Sequence, residues 1–345
     1  MKACVVGGGS WGSAFALHLG RIGIPTRLWV REEEIRLEFT ERGTNSMFLP
    51  GFVFPSQVEF FNDIAAALEG CETVFVAVPS QYFRSVFARM APHLDKAHGI
   101  VSLTKGIEEG TRKRMSEIVE EVLAPLGRRP VAALSGPSFA REVAQGQATA
   151  VVVASEDKAF ARNVQHLVSN LNLRVYTSPD IRGVELAGAA KNVIAIAAGL
   201  ADGLEAGRNS LAALMTRGIH EMTRLGLRLG ARAATFSGLA GIGDLILTCT
   251  GALSRNHYVG FELGRGRSLE AIRSGMTMIA EGIITTLSVH ELSGQLGVEM
   301  PICDQVYEVL YRGKPPARVL RDLMSRSLKS EHGDLFGPDA EEEKE

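Results

Sequence analysis

The sequence predicts an α/β protein in which a doubly wound, mostly parallel sheet is followed by an all-helical C-terminal domain. Three observations carry this. Short β-rich runs alternate with helical stretches up to about residue 178. From Ile181 onward strand signals stop and long helical patterns follow. A glycine-rich turn, GGGSWG, joins the first strand to the first helix. The expected domains are 1–180 and 181–335, and the end of the chain, 336–345 with its AEEEKE run, reads as a disordered, solvated acidic tail.

The first element is ACVV, an apolar run leading into GGGSWGSAFA with Gly7, Gly9 and Gly12 at the spacing G-x-G-x-x-G. Missing Cβ atoms there let backbone N–H groups approach a pyrophosphate at a helix N-terminus. A tight turn alone uses the same glycines, and a chain with 37 of them can match the pattern by chance. Context selects the dinucleotide reading: Ala14 to Ile22 reads as a helix stopped by Gly23, and TRLWV follows as a second strand. This makes a Rossmann-like βαβ unit of about 30 residues. The second strand runs into LWVREEE, where NAD-specific sites often present an acid to the ribose 2′-OH. Arg31 there favours a 2′-phosphate, whereas Glu32 to Glu34 still serve NAD, so both cofactors are expected to work, with NADPH somewhat preferred.

Further strands are read at TVFVAV, GIVSL, VAALS, ATAVVV and RVYT. Ligands of open α/β sheets collect where strands end, and three such loops are small and polar: VPSQ at Val78 to Gln81, SLTKGIEEG at Ser102 to Gly110, and LSGPSFA at Leu134 to Ala140. Lys105 would point at the cofactor crevice, or simply be a solvated loop lysine. Ser135 and Ser138 serve equally well as turn or helix caps around Pro137.

In the helical half, Leu186 to Leu200 is apolar or glycine except for Lys191 and Asn192. At helical spacings Lys191 meets Val184, Ala187, Gly188, Ile194, Ala195 and Ala198, so no carboxylate on its own face neutralises it. Burial would lower its pKa and suit it to general acid/base work; the alternative is a lysine snorkelling to water. In SGLAGIGDLILTCTGALSRNHYVG, Asp244 either holds a lysine ammonium or caps the helix that follows. Ser254 is a plausible N-cap for a helix to Leu263, placing Arg255 and Asn256 in its first turn. Helix amides plus a guanidinium suit phosphate, though such a triplet alone is more often just a cap.

The near balance of 37 basic and 39 acidic residues gives no electrostatic case for nucleic acid or a membrane surface, which leaves small molecules as default ligands. Cys4, Cys71, Cys249 and Cys303 form no C-x-x-C pair, which suits reduced thiols better than disulfides or a zinc site; no metal is expected. Met1 leads straight into the first strand, and the longest apolar run, VIAIAAGLA, is nine residues. A cytoplasmic chain without membrane insertion is expected.

Together GGGSWG, FVAVPSQ, SLTKGIE, LSGPSFA, AAKNVIAIAAG, GLAGIGDLILTCTG and LSRNHYVG, in this order over nearly the whole chain, resemble NAD(P)-dependent glycerol-3-phosphate dehydrogenase of the bacterial type. The resemblance implies reversible conversion of dihydroxyacetone phosphate and sn-glycerol 3-phosphate with NADPH/NADP or NADH/NAD, supplying the backbone of phospholipids. It assigns Lys191 as proton donor and acceptor, with Lys105 and Asp244 beside it in the chemistry. Around the substrate it places these three with Gly136, Ser138, Ser254, Arg255 and Asn256; Asn192 and Thr248 stand behind them. Cofactor contacts are Ser10, Trp11, Arg31, Lys105, Ala140, Arg255, Ile279 and Glu281, joined by Gly7, Gly9 and Gly12 of the turn. A dehydrogenase of a small hydroxy acid would share the turn and a catalytic lysine but would want a carboxylate site at Ser254 to Asn256. A nicotinamide-sensing regulator would need neither Lys191 nor Asp244. A homodimer is compatible with the sequence.

Overall fold

The computed structural model describes residues 1–331 apart from 97, 277, 279 and 329; the expected tail 336–345 lies outside the described residues. Two compact units divide the chain, Met1–Glu185 and Leu186–Glu345.

The first unit is built on one sheet of eight strands: β1 Ala3–Val6, β2 Thr26–Trp29, β3 Val58–Phe61, β4 Thr73–Val76, β5 Gly99–Ser102, β6 Val131–Ser135, β7 Thr149–Ala154 and β8 Leu173–Ser178. Their spatial order is β3-β2-β1-β4-β5-β6-β7-β8. All neighbours are parallel except β6 and β7. In β1, Ala3 and Val5 enter a core with Phe15, Leu17 and Leu28. Cys4 and Val6 point the other way, to Phe83, Phe87 and Ile118. Both faces of the sheet are therefore covered, which is why its central strands read as unbroken apolar runs rather than alternating ones. The strand order reverses between β1 and β4, so a crevice opens beyond the end of β1, at the glycine-rich turn.

One strand escaped the sequence reading. VEFF at β3 is short, and Glu59 is exposed while its neighbours Val58 and Phe60 are buried. It becomes a strand by pairing in register with β2, Trp29 opposite Phe61, at the edge of the sheet.

In the second unit no strand occurs among the described residues. Its axis is the helix Ile181–Gly203, whose first turn belongs to the first unit and whose residues Leu186 to Leu200 are all buried. This helix is long and apolar enough to span a membrane, yet 94% of its most apolar window is buried inside the protein, as in a core helix. Arg255–Gly264 packs on it backbone to backbone. A Cβ on Gly199 would come within 2.0 Å of His257 O, and one on Gly260 within 2.0 Å of Ile196 O. Glycine at both positions lets the two helices approach more closely than side chains allow. Other helices are Gly207–Arg228, Asp244–Thr250, Glu281–Leu296 and Pro301–Arg312. All four cysteines are free thiols and buried.

Candidate active site

In the first unit the three glycines of the turn have distinct work. Gly7 sits at φ +120°, and a Cβ there would lie 2.5 Å from Ala77 O. A Cβ on Gly12 would lie 1.9 Å from Gly7 O, so the helix approaches the end of the strand this closely only with glycine at position 12. Gly9 is different: a Cβ would meet nothing within 4 Å, so no internal packing demands glycine there. It is the N-cap of the helix Ser10–Arg21, which has no acidic residue in its first turn. Bare backbone at a helix N-terminus suits a pyrophosphate. Trp11 packs its ring on Phe15 at 5.7 Å, and its indole Nε1 is buried without a hydrogen-bond partner among the described residues. Ser10 turns its hydroxyl onto Phe48 O at 2.7 Å.

Arg31 lies just beyond β2 with its side chain 69% exposed, and its guanidinium donates to Glu32 at 2.5 Å. The cation and the acid expected to compete for the ribose are thus paired with each other. Lys105 follows β5 between buried Leu103 and Ile107. Its Nζ donates to Gly136 O at 3.0 Å, so it is not simply a solvated loop lysine. The Ser138 hydroxyl donates to the same carbonyl at 2.9 Å. Gly136 adopts φ +134°, with a Cβ position 3.0 Å from Val151 Cα. Neither serine caps a helix: the short helix Ala140–Ala144 begins after Phe139 with no side-chain cap, and the Ser135 hydroxyl is buried without a partner among the described residues.

In the second unit Lys191 and Asp244 meet. Lys191 is 5% exposed and Asp244 1%. Nζ lies 2.5 Å from Asp244 Oδ1 and 2.7 Å from Thr248 Oγ1. Thr248 in turn donates to Asp244 O at 2.6 Å, one helical turn back. Asp244 is the first residue of its helix, with Gly243 as N-cap, so its carboxylate serves the lysine rather than a cap. Burial pushes the neighbouring Cys249 thiol up to about 12, leaving it protonated. The lysine is therefore held by an acid from a second helix, and snorkelling to water is excluded.

Ser254 caps the helix Arg255–Gly264, accepting from His257 N at 3.2 Å. Arg255 stands in that first turn, where desolvation lowers its pKa below the ordinary value and the Glu281 carboxylate partly opposes the shift. Asn256 is buried; its amide donates to Asn192 Oδ1 at 2.9 Å and its Oδ1 accepts from Gly282 N at 3.0 Å. A Cβ on Gly282 would lie 2.7 Å from Asn256 Oδ1, so this junction requires glycine beside Glu281, which opens the helix Glu281–Leu296. Ile279 lies outside the described residues.

Sequence reasoning missed the supporting groups. Glu108, three residues past Lys105, takes a two-pronged bond from Arg84 at 2.8 Å for each nitrogen. His257 Nε2 meets Asp202 Oδ2 at 2.9 Å. Asn45 bonds the glycine-rich turn itself. Each partner lies far away in sequence, and no local pattern marks it.

A family model for the N-terminus of NAD-dependent glycerol-3-phosphate dehydrogenase matches residues 2–161, and one for its C-terminus matches 180–321. A glycerol-3-phosphate dehydrogenase [NAD(P)+] from Geobacter sp. (strain M21) is 50% identical over 330 residues, covering 96% of this chain and 98% of the relative. Its counterpart from Koribacter versatilis is 49% identical over 332 residues, with coverage of 96% and 98%. The crystal structure of glycerol-3-phosphate dehydrogenase from Coxiella burnetii superposes with a TM-score of 0.90 at 39% identity, covering 94% of this chain and 99% of that one.

Proposed function

We propose that this chain, which belongs to the NAD-dependent glycerol-3-phosphate dehydrogenase family, catalyses the reversible, NAD(P)H-dependent reduction of dihydroxyacetone phosphate to sn-glycerol 3-phosphate. The observation that carries the reading is the buried ammonium of Lys191, fixed between Asp244 and Thr248. When bound, the nicotinamide cofactor supplies the hydride that C2 of the ketone receives. Lys191 Nζ gives a proton to the C2 oxygen as negative charge develops there, and takes it back in the oxidising direction. Asp244 stabilises the ammonium that burial alone would discharge, and both bonds hold Nζ in one place. On the family resemblance Lys105 is a further substrate contact; its Nζ donates to Gly136 O, the carbonyl that the Ser138 hydroxyl also bonds.

Phosphate is taken by the first turn after Ser254, where the Arg255 guanidinium offers two parallel N–H bonds. Binding energy gained at that remote group positions the carbonyl. Asn192 and Asn256 act by holding that turn and the start of the Glu281 helix in place. The Gly9 amide, Ser10 and Trp11 hold the cofactor's pyrophosphate side, Arg31 its ribose end, and Ala140 and Glu281 complete the contacts. A cytoplasmic homodimer feeding glycerophospholipid synthesis is proposed on the family resemblance, and sedimentation equilibrium tests the dimer. For the activity the test is loss of NADPH absorbance on adding dihydroxyacetone phosphate to the purified chain. Turnover is expected; none, or equal turnover with small keto acids, refutes the reading.

A further inference from the structure

We infer that Asn45 is a positioning residue for the cofactor: it aims the Gly9 amide by holding the other side of the same peptide. The Asn45 side chain is fully buried. Its Nδ2 donates to Gly8 O at 2.9 Å and to Ser13 Oγ at 2.9 Å, and Ser13 Oγ donates to Gly8 O at 2.9 Å. One carbonyl oxygen is thus gripped from two sides. A peptide unit is planar and trans, so its C=O and the following N–H point in opposite directions. Fixing Gly8 O therefore fixes where Gly9 N–H points, at the position where a side chain would meet nothing within 4 Å.

Asn45 is itself held. Its Oδ1 accepts from Phe48 N at 3.2 Å, and Phe48 O accepts from the Ser10 hydroxyl at 2.7 Å. On the other side Glu38, in the helix Glu33–Arg42, binds the Thr44 hydroxyl at 2.6 Å and the Ser46 hydroxyl at 2.8 Å. The segment 44–48 is thereby strapped between that helix and the turn. An amide is the group this place needs, because only a donor can hold a carbonyl and only an acceptor can take Phe48 N.

The inference rests on the cofactor reading of the turn, and its test separates the two. In the full-length protein, Asn45→Ala is expected to raise the Kd for NADPH about tenfold or more, on the scale of one lost buried hydrogen bond. Adenosine 2′-phosphate lacks the pyrophosphate bridge, so its Kd should stay within about twofold, as should kcat at saturating NADPH. Asn45→Asp keeps the shape and the Phe48 bond but cannot donate to Gly8 O; it should weaken NADPH in the same direction. An NADPH Kd within about twofold of wild type overturns the inference, and so does an equal loss for both ligands, which marks a general loosening of the domain. Failure of both variants to fold also overturns it, since Asn45 would then be needed for the scaffold itself. A wild-type chain that does not bind NADPH removes the cofactor reading and the inference with it.

Discussion

Replacing Lys191 by methionine, singly and together with Asp244→Asn, separates what the buried pair does for stability from what the ammonium does for chemistry. Methionine keeps most of the apolar stem, so packing along Ile181–Gly203 is little changed. It takes the Lys191 charge away from the Asp244 carboxylate, which is 1% exposed, while the Thr248 hydroxyl stays 3.3 Å away. Removing one partner of a buried ion pair costs about 3–5 kcal/mol, and the lower end is expected because Thr248 can turn its proton toward the acid. Asp244→Asn alone removes the carboxylate charge that faces the ammonium, leaving its bond to the Thr248 hydroxyl at 2.7 Å, and should cost a similar amount. In the double variant both charges are gone, and the remaining loss is that of imperfect amide hydrogen bonding, about 1–2 kcal/mol. The double variant should therefore be more stable than either single one, with a coupling of at least about 2 kcal/mol. Activity should not follow. Every variant lacking Lys191 loses at least the ~10²-fold to 10⁴-fold in kcat that a positioned acid/base contributes. Urea unfolding and initial rates with dihydroxyacetone phosphate measure both quantities. Additive stability losses would refute the pairing, and near wild-type kcat in Lys191→Met would remove it from the mechanism.

Arg255→Ala should lower kcat/KM for dihydroxyacetone phosphate about 10²-fold or more at saturating NADPH while hardly changing the poor activity with unphosphorylated dihydroxyacetone. An unchanged ratio of the two would move phosphate recognition to Lys105 and Ser138. Arg31→Asp should raise KM for NADPH more than for NADH. Equal effects on both cofactors would remove Arg31 from the ribose site. Glu221 is buried against the start of the helix Pro301–Arg312, accepting from the amides of Ile302 at 2.7 Å and Cys303 at 3.2 Å. Burial pushes its carboxyl up to about 7 despite those bonds. The folded chain thus holds this proton more tightly than the unfolded one, so stability from this group is greatest below about pH 4.5 and falls as pH rises to about 7, by up to about 3 kcal/mol. Glu221→Gln should lack that slope in urea midpoints taken across the range, and parallel pH profiles for the two proteins would overturn the assignment.

What the sequence by itself determined were the features made by neighbours along the chain. A strand of small apolar residues, a glycine-rich turn, a helix with Lys191 in an apolar stretch and a serine before Arg255 are all set by backbone dihedrals and by periods of two and 3.6 residues. Seven long motifs in order then sufficed for the resemblance, because a family's motifs are themselves local strings. Tertiary structure alone decided the choices that local chemistry leaves open. Asp244 at a helix start can cap or pair, and it pairs because its helix and Lys191's bring side chains 53 positions apart within 2.5 Å. VEFF carries too little apolar pattern to declare a strand, and becomes β3 because β2 offers it an edge. Ser135 and Ser138 fit a cap equally well on paper, yet one is buried in β6 and the other bonds Gly136 O. Gly199 and Gly260 read as ordinary helix glycines until the crossing shows each against the other helix's backbone. Asn45 carries no signal at all before the fold places it on Gly8. The reason is one of range: turns and periods depend on adjacent residues, whereas a hydrogen bond or ion pair exists only where two groups come within about 3 Å, and which groups do so is decided by how strands and helices cross.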